Sequence, residues 1–189
     1  MKLDLETKKE RLENLKQKKT DLENELFVIK AAGLFISDVA KKTQGQLKIA
    51  ISGIVQTALD LCFPNEYNFK FDFVETRGRI ESKFCFEDKN GNEVSILDAS
   101  GGGVVDVVTF ALRIACYTLS SSTDTIILDE PFKFVSVDMR GKVSALLKDV
   151  SEKLGIQFIV VTHDSSIIDV ADRVFKVVKT NEISEVTVK

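Results

Sequence analysis

Thr125-Ile126-Ile127-Leu128-Asp129-Glu130, closed by Pro131, is the stretch on which the fold of this 189-residue chain turns. An apolar, β-favouring run leads straight into two adjacent acids. Such a run between turn signals reads as a short buried strand. Both carboxylates then stand at its C-terminal end, outside which open α/β sheets hold their ligands. An Asp there suits Mg²⁺ beside the β- and γ-phosphates of a nucleotide. The next acid suits orienting and deprotonating an attacking water. Alone the motif is only moderately specific, since a strand ending in two acids at a surface loop also occurs by chance.

Upstream, Ala99-Ser100-Gly101-Gly102-Gly103 precedes the apolar run Val104 to Ile114. Successive glycines let backbone N–H groups approach an anion, and a helix N-terminus favours negative charge. Ser100 adds a hydroxyl donor. The plain alternative is a flexible link. Downstream, Val160-Val161-Thr162-His163-Asp164 carries the only histidine. At a strand end His163 suits hydrogen bonding to a γ-phosphate or the attacking water, although a lone histidine is more often structural.

The surrounding pattern alternates. A helix follows the glycines through Tyr117, and Ile126–Leu128 is a strand. Helix 139–154, strand 156–161, short helix 167–171 and strands 174–178 and 183–188 follow. Buried strands separated by helices indicate an α/β layer with parallel pairing. Before this layer the period is two. Tyr67, Phe69, Phe71 and Phe73 alternate with polar residues, as do Ile80, Ser82, Phe84 and Phe86 after the turn Arg77-Gly78. Asn90-Gly91 makes a second turn, before Val94 and Ile96. This is an antiparallel meander whose phenylalanines suit core packing.

The N-terminal region is helical. With Leu5 as position a, Leu5, Leu12, Lys19 and Leu26 occupy a, and Lys8, Leu15, Leu22 and Ile29 occupy d. That is a coiled-coil seam over residues 1–30, too short to be stable alone and in want of a partner helix. The alternative is an amphipathic helix docked on the chain's own core. Residues 31–62 continue as helix, with possible bends at Gly45 and Gly53 and a stop at Pro64.

Composition narrows the class. With 44% hydrophobic and 29% charged residues, a packed core is expected. The net charge of -3 gives no global argument for nucleic acid. Lys8, Lys9, Arg11, Lys16, Lys18 and Lys19 gather locally, but interleaved acids make a solvated helix face the better reading. No apolar run reads as a membrane span, and the charged start has no apolar signal core, so a cytoplasmic protein is expected. Cys62, Cys85 and Cys116 lack metal-ligand spacing and read as buried reduced thiols.

Glycine signature, helix, strand with Asp-Glu-Pro, helix, strand with Thr-His-Asp: this order resembles the C-terminal lobe of ABC-type ATPase heads. With the coiled coil leading into it, the chain resembles the C-terminal half of the SMC, RecN and SbcC group of DNA-repair and chromosome ATPases. The resemblance implies an α/β, P-loop NTPase-like sheet with flanking helices and a β meander. A coiled-coil segment, 1–30, would precede a lobe, 31–189. It implies Ser100, Gly101, Gly102 and Gly103 as the signature that contacts ATP held by the opposite head. Asp129 matches the Walker B magnesium residue, Glu130 the catalytic glutamate, His163 the switch histidine and Asp138 the D-loop aspartate. ATP and Mg²⁺ are the implied cofactors. A Walker A-containing half, a second head across ATP, DNA and a nuclease subunit are the implied partners.

Three departures stand out. Gly103 occupies a position where the group usually carries Gln or Glu. The stretch Phe132-Lys133-Phe134-Val135-Ser136-Val137 is longer and more aromatic than the common D-loop. No G-x-x-x-x-G-K-[ST] occurs, and Gly141-Lys142-Val143 is no substitute, so the chain lacks a phosphate cradle of its own. The expectation is half of an ATPase site, completed by a Walker A lobe from a longer chain or a separate polypeptide. A different class remains open: a non-enzymatic lobe that docks on another head and regulates it. A purely structural coiled-coil protein requires three ordered motifs to be accidental.

Overall fold

The computed structural model describes residues 2–120, 124–180 and 183–188, with the side chains of 2–5 and 180 outside that description. Two compact units divide the chain, Met1–Leu47 and Lys48–Lys189.

The first unit is one helix, the opening part of α1 (Lys2–Cys62). Helical bonding passes Gly45 and Gly53, the two glycines expected to mark bends, without a break. Exposed ion pairs at helical spacing, Lys16–Glu13, Lys19–Glu23 and Lys42–Asp38, line it. Each contributes only about 0.3–0.5 kcal/mol. Leu12, Leu15, Leu22, Leu26 and Ile29 of the heptad seam are all exposed, so no described part of the chain covers them. The side chain of Leu5 lies outside the described residues. Phe27, Val28, Leu34, Phe35 and Ile36 are exposed as well. That apolar surface is wider than a two-helix seam needs.

The second unit contains the core. Val55, Ala58, Leu59 and Cys62 of α1 begin it. The helix ends before Pro64, and Lys142 Nζ donates to the carbonyl of Cys62 at 3.1 Å. A lysine beside the last carbonyls of a helix is a C-terminal cap, which gives the Gly141-Lys142 pair a structural role. β1 (Asn68–Thr76) and β2 (Arg79–Glu87) form an antiparallel hairpin with Phe69 opposite Phe86 and Phe71 opposite Phe84. Arg77 and Gly78 both take positive φ, as a two-residue hairpin turn demands. Phe69, Phe71 and Phe86 are buried, and the exposed Phe84 stacks on Phe71. β3 shrinks to Glu93–Val94, because Ile96 starts a short helix, α2 (Ile96–Ala99), instead of extending a strand.

α3 (Gly102–Leu119) is the central helix; Val104, Val107, Val108, Phe110, Ala111, Ile114 and Ala115 are buried. It is the one described helix long and apolar enough to cross a membrane, contrary to the expectation that no run would qualify. Its buried stripe belongs to the core cluster. Cys116 lies on its exposed face, correcting the reading of three buried thiols. Burial pushes the Cys62 thiol up to about 11, so it stays protonated and unreactive at neutral pH.

β4 (Thr125–Asp129) and β5 (Gln157–Val161) pair in parallel, in register from Thr125 opposite Gln157 to Asp129 opposite Val161. The crossover is a 3-10 turn, Val137–Met139, and α4 (Arg140–Leu154), which buries Val143, Leu146 and Leu147. α5 (Ser165–Val170) follows, then β6 (Phe175–Thr180) and β7 (Ile183–Val188). These last strands form a separate antiparallel hairpin, so the parallel layer of the described residues has two strands.

Both β4 and β5 read as buried strands, yet only one face is covered. Leu128 points inward at 2% exposure, whereas Ile127 is 70% exposed and Ile159 and Val161 are exposed beside it. Parallel sheets normally have both faces covered. Leu128→Ala is expected to destabilise the chain by about 2–5 kcal/mol in urea unfolding. Ile127→Ala, on the bare face, should change it by less than about 0.5 kcal/mol. Equal losses would mean that the outer face is packed in solution.

Candidate functional site

The parallel pair delivers its two loops to one place. Asp129 is the last residue of β4, and Glu130 N–H still donates to the carbonyl of Val161 at 2.8 Å. β5 ends at Val161, so Thr162 and His163 follow directly beside Glu130. His163 Nδ1 lies 2.8 Å from Glu130 Oε1, and the Thr162 hydroxyl donates to Oε2 at a long 3.4 Å. A carboxylate only accepts, so Nδ1 carries the proton. In the neutral ring Nε2 is then a free acceptor. The His163 side chain is 82% exposed and Glu130 35%, so the pair opens outward.

His163 is held from both sides. Asp164 accepts from Ser166 N–H at 2.9 Å and caps α5. Asp164 N–H donates to the Thr162 hydroxyl at 3.1 Å. Arg140 Nε, from the start of α4, lies 3.2 Å from Asp164 Oδ2, an ion pair without an aligned hydrogen bond.

Asp129 is exposed, and its side chain makes no hydrogen bond or ion pair among the described residues. No cluster of three metal-ligating side chains exists among those residues. A lone free carboxylate fits Mg²⁺, which keeps several waters and takes one or two carboxylates plus substrate phosphates. It fits a metal needing an all-protein cage poorly.

The glycine run stands at the N-terminus of α3, which no side chain caps. Val104 N–H donates to the carbonyl of Gly101 at 3.0 Å, which leaves the N–H groups of Gly102 and Gly103 as the first-turn donors that favour an anion. The Ser100 hydroxyl donates to the carbonyl of Ile96 in α2, so it faces its own backbone. Gly101 has open space around it. Gly102 and Gly103 do not. A Cβ on Gly102 would lie 2.9 Å from Phe134 Cβ, and one on Gly103 would lie 3.0 Å from both Phe134 O and Val135 Cα. The third glycine and the long aromatic loop are thus two sides of one contact. Asp138, on the 3-10 turn, is exposed, and the Ser136 hydroxyl beside it holds its carboxyl below the usual aspartate value.

Asp129, Glu130 and His163 therefore meet at one sheet end. Gly102 and Gly103 meet the loop that leaves that end. Sequence reasoning missed Asp106, whose Oδ2 accepts from Phe134 N–H at 2.8 Å. Its signal was a lone acid inside the apolar run Val104 to Ile114. It also missed Arg140, which no motif marks.

No protein-family model matches the chain. It is 28% identical over 147 residues to the DNA double-strand break repair Rad50 ATPase of Methanocaldococcus jannaschii, covering 77% of this chain and 14% of that protein. The Rad50 ATPase of Methanosarcina mazei is 28% identical over 191 residues, covering 93% of this chain and 17% of that protein. The chain thus spans less than a fifth of these relatives. Among solved structures, a chain from work on ATP-driven dimerisation and DNA-stimulated activation of SMC ATPases superposes with a TM-score of 0.62 at 18% identity. That match covers 80% of this chain and 88% of the other. The Smc head domain with coiled coil and joint from Pyrococcus yayanosii gives 0.62 at 19% identity, over 98% and 33%. The chain is thus similar to Rad50 ATPases in sequence and to SMC heads in fold, each over most of its length, which is consistent with the C-terminal lobe of an SMC/Rad50-type ABC ATPase head.

Proposed function

We propose that this chain is the C-terminal half of an ATP-hydrolysing head, active only when a Walker A-bearing half completes it. The observation that carries this reading is the convergence of Asp129, Glu130 and His163 beyond the carboxyl end of β4 and β5. Asp129 holds Mg²⁺, which when bound neutralises charge on the β- and γ-phosphates. Glu130 orients the attacking water and takes its proton. His163, with Nδ1 held by Glu130, presents Nε2 to the water or the γ-phosphate. Ser100, Gly101, Gly102 and Gly103 contact ATP held by a second head, and Asp138 crosses that interface. The exposed β4–β5 face and the exposed seam of α1 are covered by the Walker A half and its ascending helix.

On the likeness to proteins named for double-strand break repair, the setting we propose is intracellular DNA repair or recombination. Head engagement across ATP then governs DNA binding or a nuclease subunit. A second reading draws on the same bare sheet face: a non-enzymatic lobe that docks on another head and regulates it. The free Asp129 and the oriented Glu130 favour the first.

The test is titration calorimetry with ATP and Mg²⁺, on the chain alone and on its mixture with a Walker A half. Binding in the mixture only is the expected result. Tight binding by the chain alone would overturn the split-site reading. Association of the halves without nucleotide binding would favour the regulatory lobe.

A further inference from the structure

Glu130 and Phe132 both adopt positive φ, 43° and 62°, although neither is glycine. Pro131 stands between them, and the residue before a proline is pushed toward extended backbone. Left to local preference, Glu130 would rotate out of this conformation. Such residues persist only where the surroundings over-determine them.

One constraint is the Glu130 N–H bond to Val161. The other comes from α3. Phe134 and Val135 sit on Gly102 and Gly103, Phe134 N–H is bound by Asp106, and the Phe132 ring meets Phe110 at 5.1 Å. Positions 103, 106 and 110 recur at helical spacing, so they form one stripe of α3. The loop lies along that stripe, with Phe132 and Val135 buried. Asp106 supplies the only side-chain hydrogen bond from α3 to this loop among the described residues.

We propose that Asp106 is a positioning residue for Glu130. By fixing Phe134 it prevents the loop from relaxing, and so keeps the Glu130 carboxylate in line with His163 Nδ1. The proposal rests on the reading of Glu130 as the base, and it ties the start of the glycine helix mechanically to that base.

The chain has a single histidine, so one imidazole reports on the pair. The experiment is a long-range ¹H–¹⁵N spectrum of His163 in the isolated full chain at about pH 8, above the ordinary imidazole range. Glu130→Ala serves as the reference for a lost acceptor. Asp106→Ala is expected to move the His163 nitrogens to the Glu130→Ala position. Asp106→Asn, which keeps an acceptor oxygen, should stay with the wild type. An Asp106→Ala imidazole unchanged from the wild type, with faster amide exchange at Phe134, would overturn the proposal. If Asp106→Ala does not fold, Asp106→Ser, whose hydroxyl is one bond too short to reach Phe134 N–H, takes its place. The same shift then supports the idea, and an unchanged ring defeats it. With a Walker A half present, Asp106→Ala should lower kcat by about tenfold at constant KM, the signature of a misplaced base. Absence of any hydrolysis by the wild-type mixture would count against the ATPase reading. The imidazole measurement judges Asp106 independently.

Discussion

Glu130→Gln is expected to lower ATP hydrolysis by the completed head about 10²–10⁴-fold while nucleotide capture persists. Gln has the shape of Glu but cannot take a proton from water. It leaves Asp129 untouched, so the Mg²⁺ position survives, and its carbonyl oxygen still accepts from His163 Nδ1. The predicted signature is therefore a collapse of kcat with binding retained, and a longer-lived engaged state of the heads. Phosphate release and calorimetry on the same mixture read the two quantities. Loss of binding together with hydrolysis would place Glu130 in holding the nucleotide. Unchanged hydrolysis would remove it from the chemistry.

Gly103→Gln restores the side chain that the related signature usually carries, and it is expected to cost this chain about 1–3 kcal/mol of stability, as overpacking does. A Cβ at this position meets Phe134 O and Val135 Cα at 3.0 Å. Both are backbone atoms, so neither swings aside as a flexible side chain would. Asp106 and the buried Phe132 resist movement of the whole loop. Gly141→Ala in α4 is the control, since nothing lies within 4 Å of its added Cβ. It should be neutral or stabilising by up to about 1 kcal/mol. Urea unfolding of the chain alone compares them. A Gly103→Gln variant as stable as the wild type would mean that loop and helix are not in contact in solution.

These two sites illustrate what was legible. Asp129, Glu130 and His163 were readable because a strand-end acid pair and a strand-end histidine each leave a local pattern, an apolar run stopped by polar residues. The meeting of Glu130 and His163 at 2.8 Å was implied by parallel pairing of the two strands. The reason for Gly102 and Gly103 was not readable. A glycine run looks the same whether an anion or a neighbouring loop needs the space. The positive φ of Glu130 and Phe132 left no trace either, because no glycine marks them. Cys116 looked buried because α3 is apolar nearly throughout, yet one stripe of a helix faces the core.

By itself the sequence determined what short-range physics can carry. Apolar period placed the long helix, the hairpin and the two parallel strands. The Arg77-Gly78 turn set the hairpin register. The acids and the histidine at strand ends marked the candidate site. Only the tertiary structure decided which faces are covered, where Lys142 and Asp106 find their partners, and why the loop after Glu130 is long and aromatic. Those outcomes depend on contacts between residues tens of positions apart, such as Lys142 with Cys62 and Asp106 with Phe134. Such pairings are set by packing of the whole unit, and no local propensity encodes them.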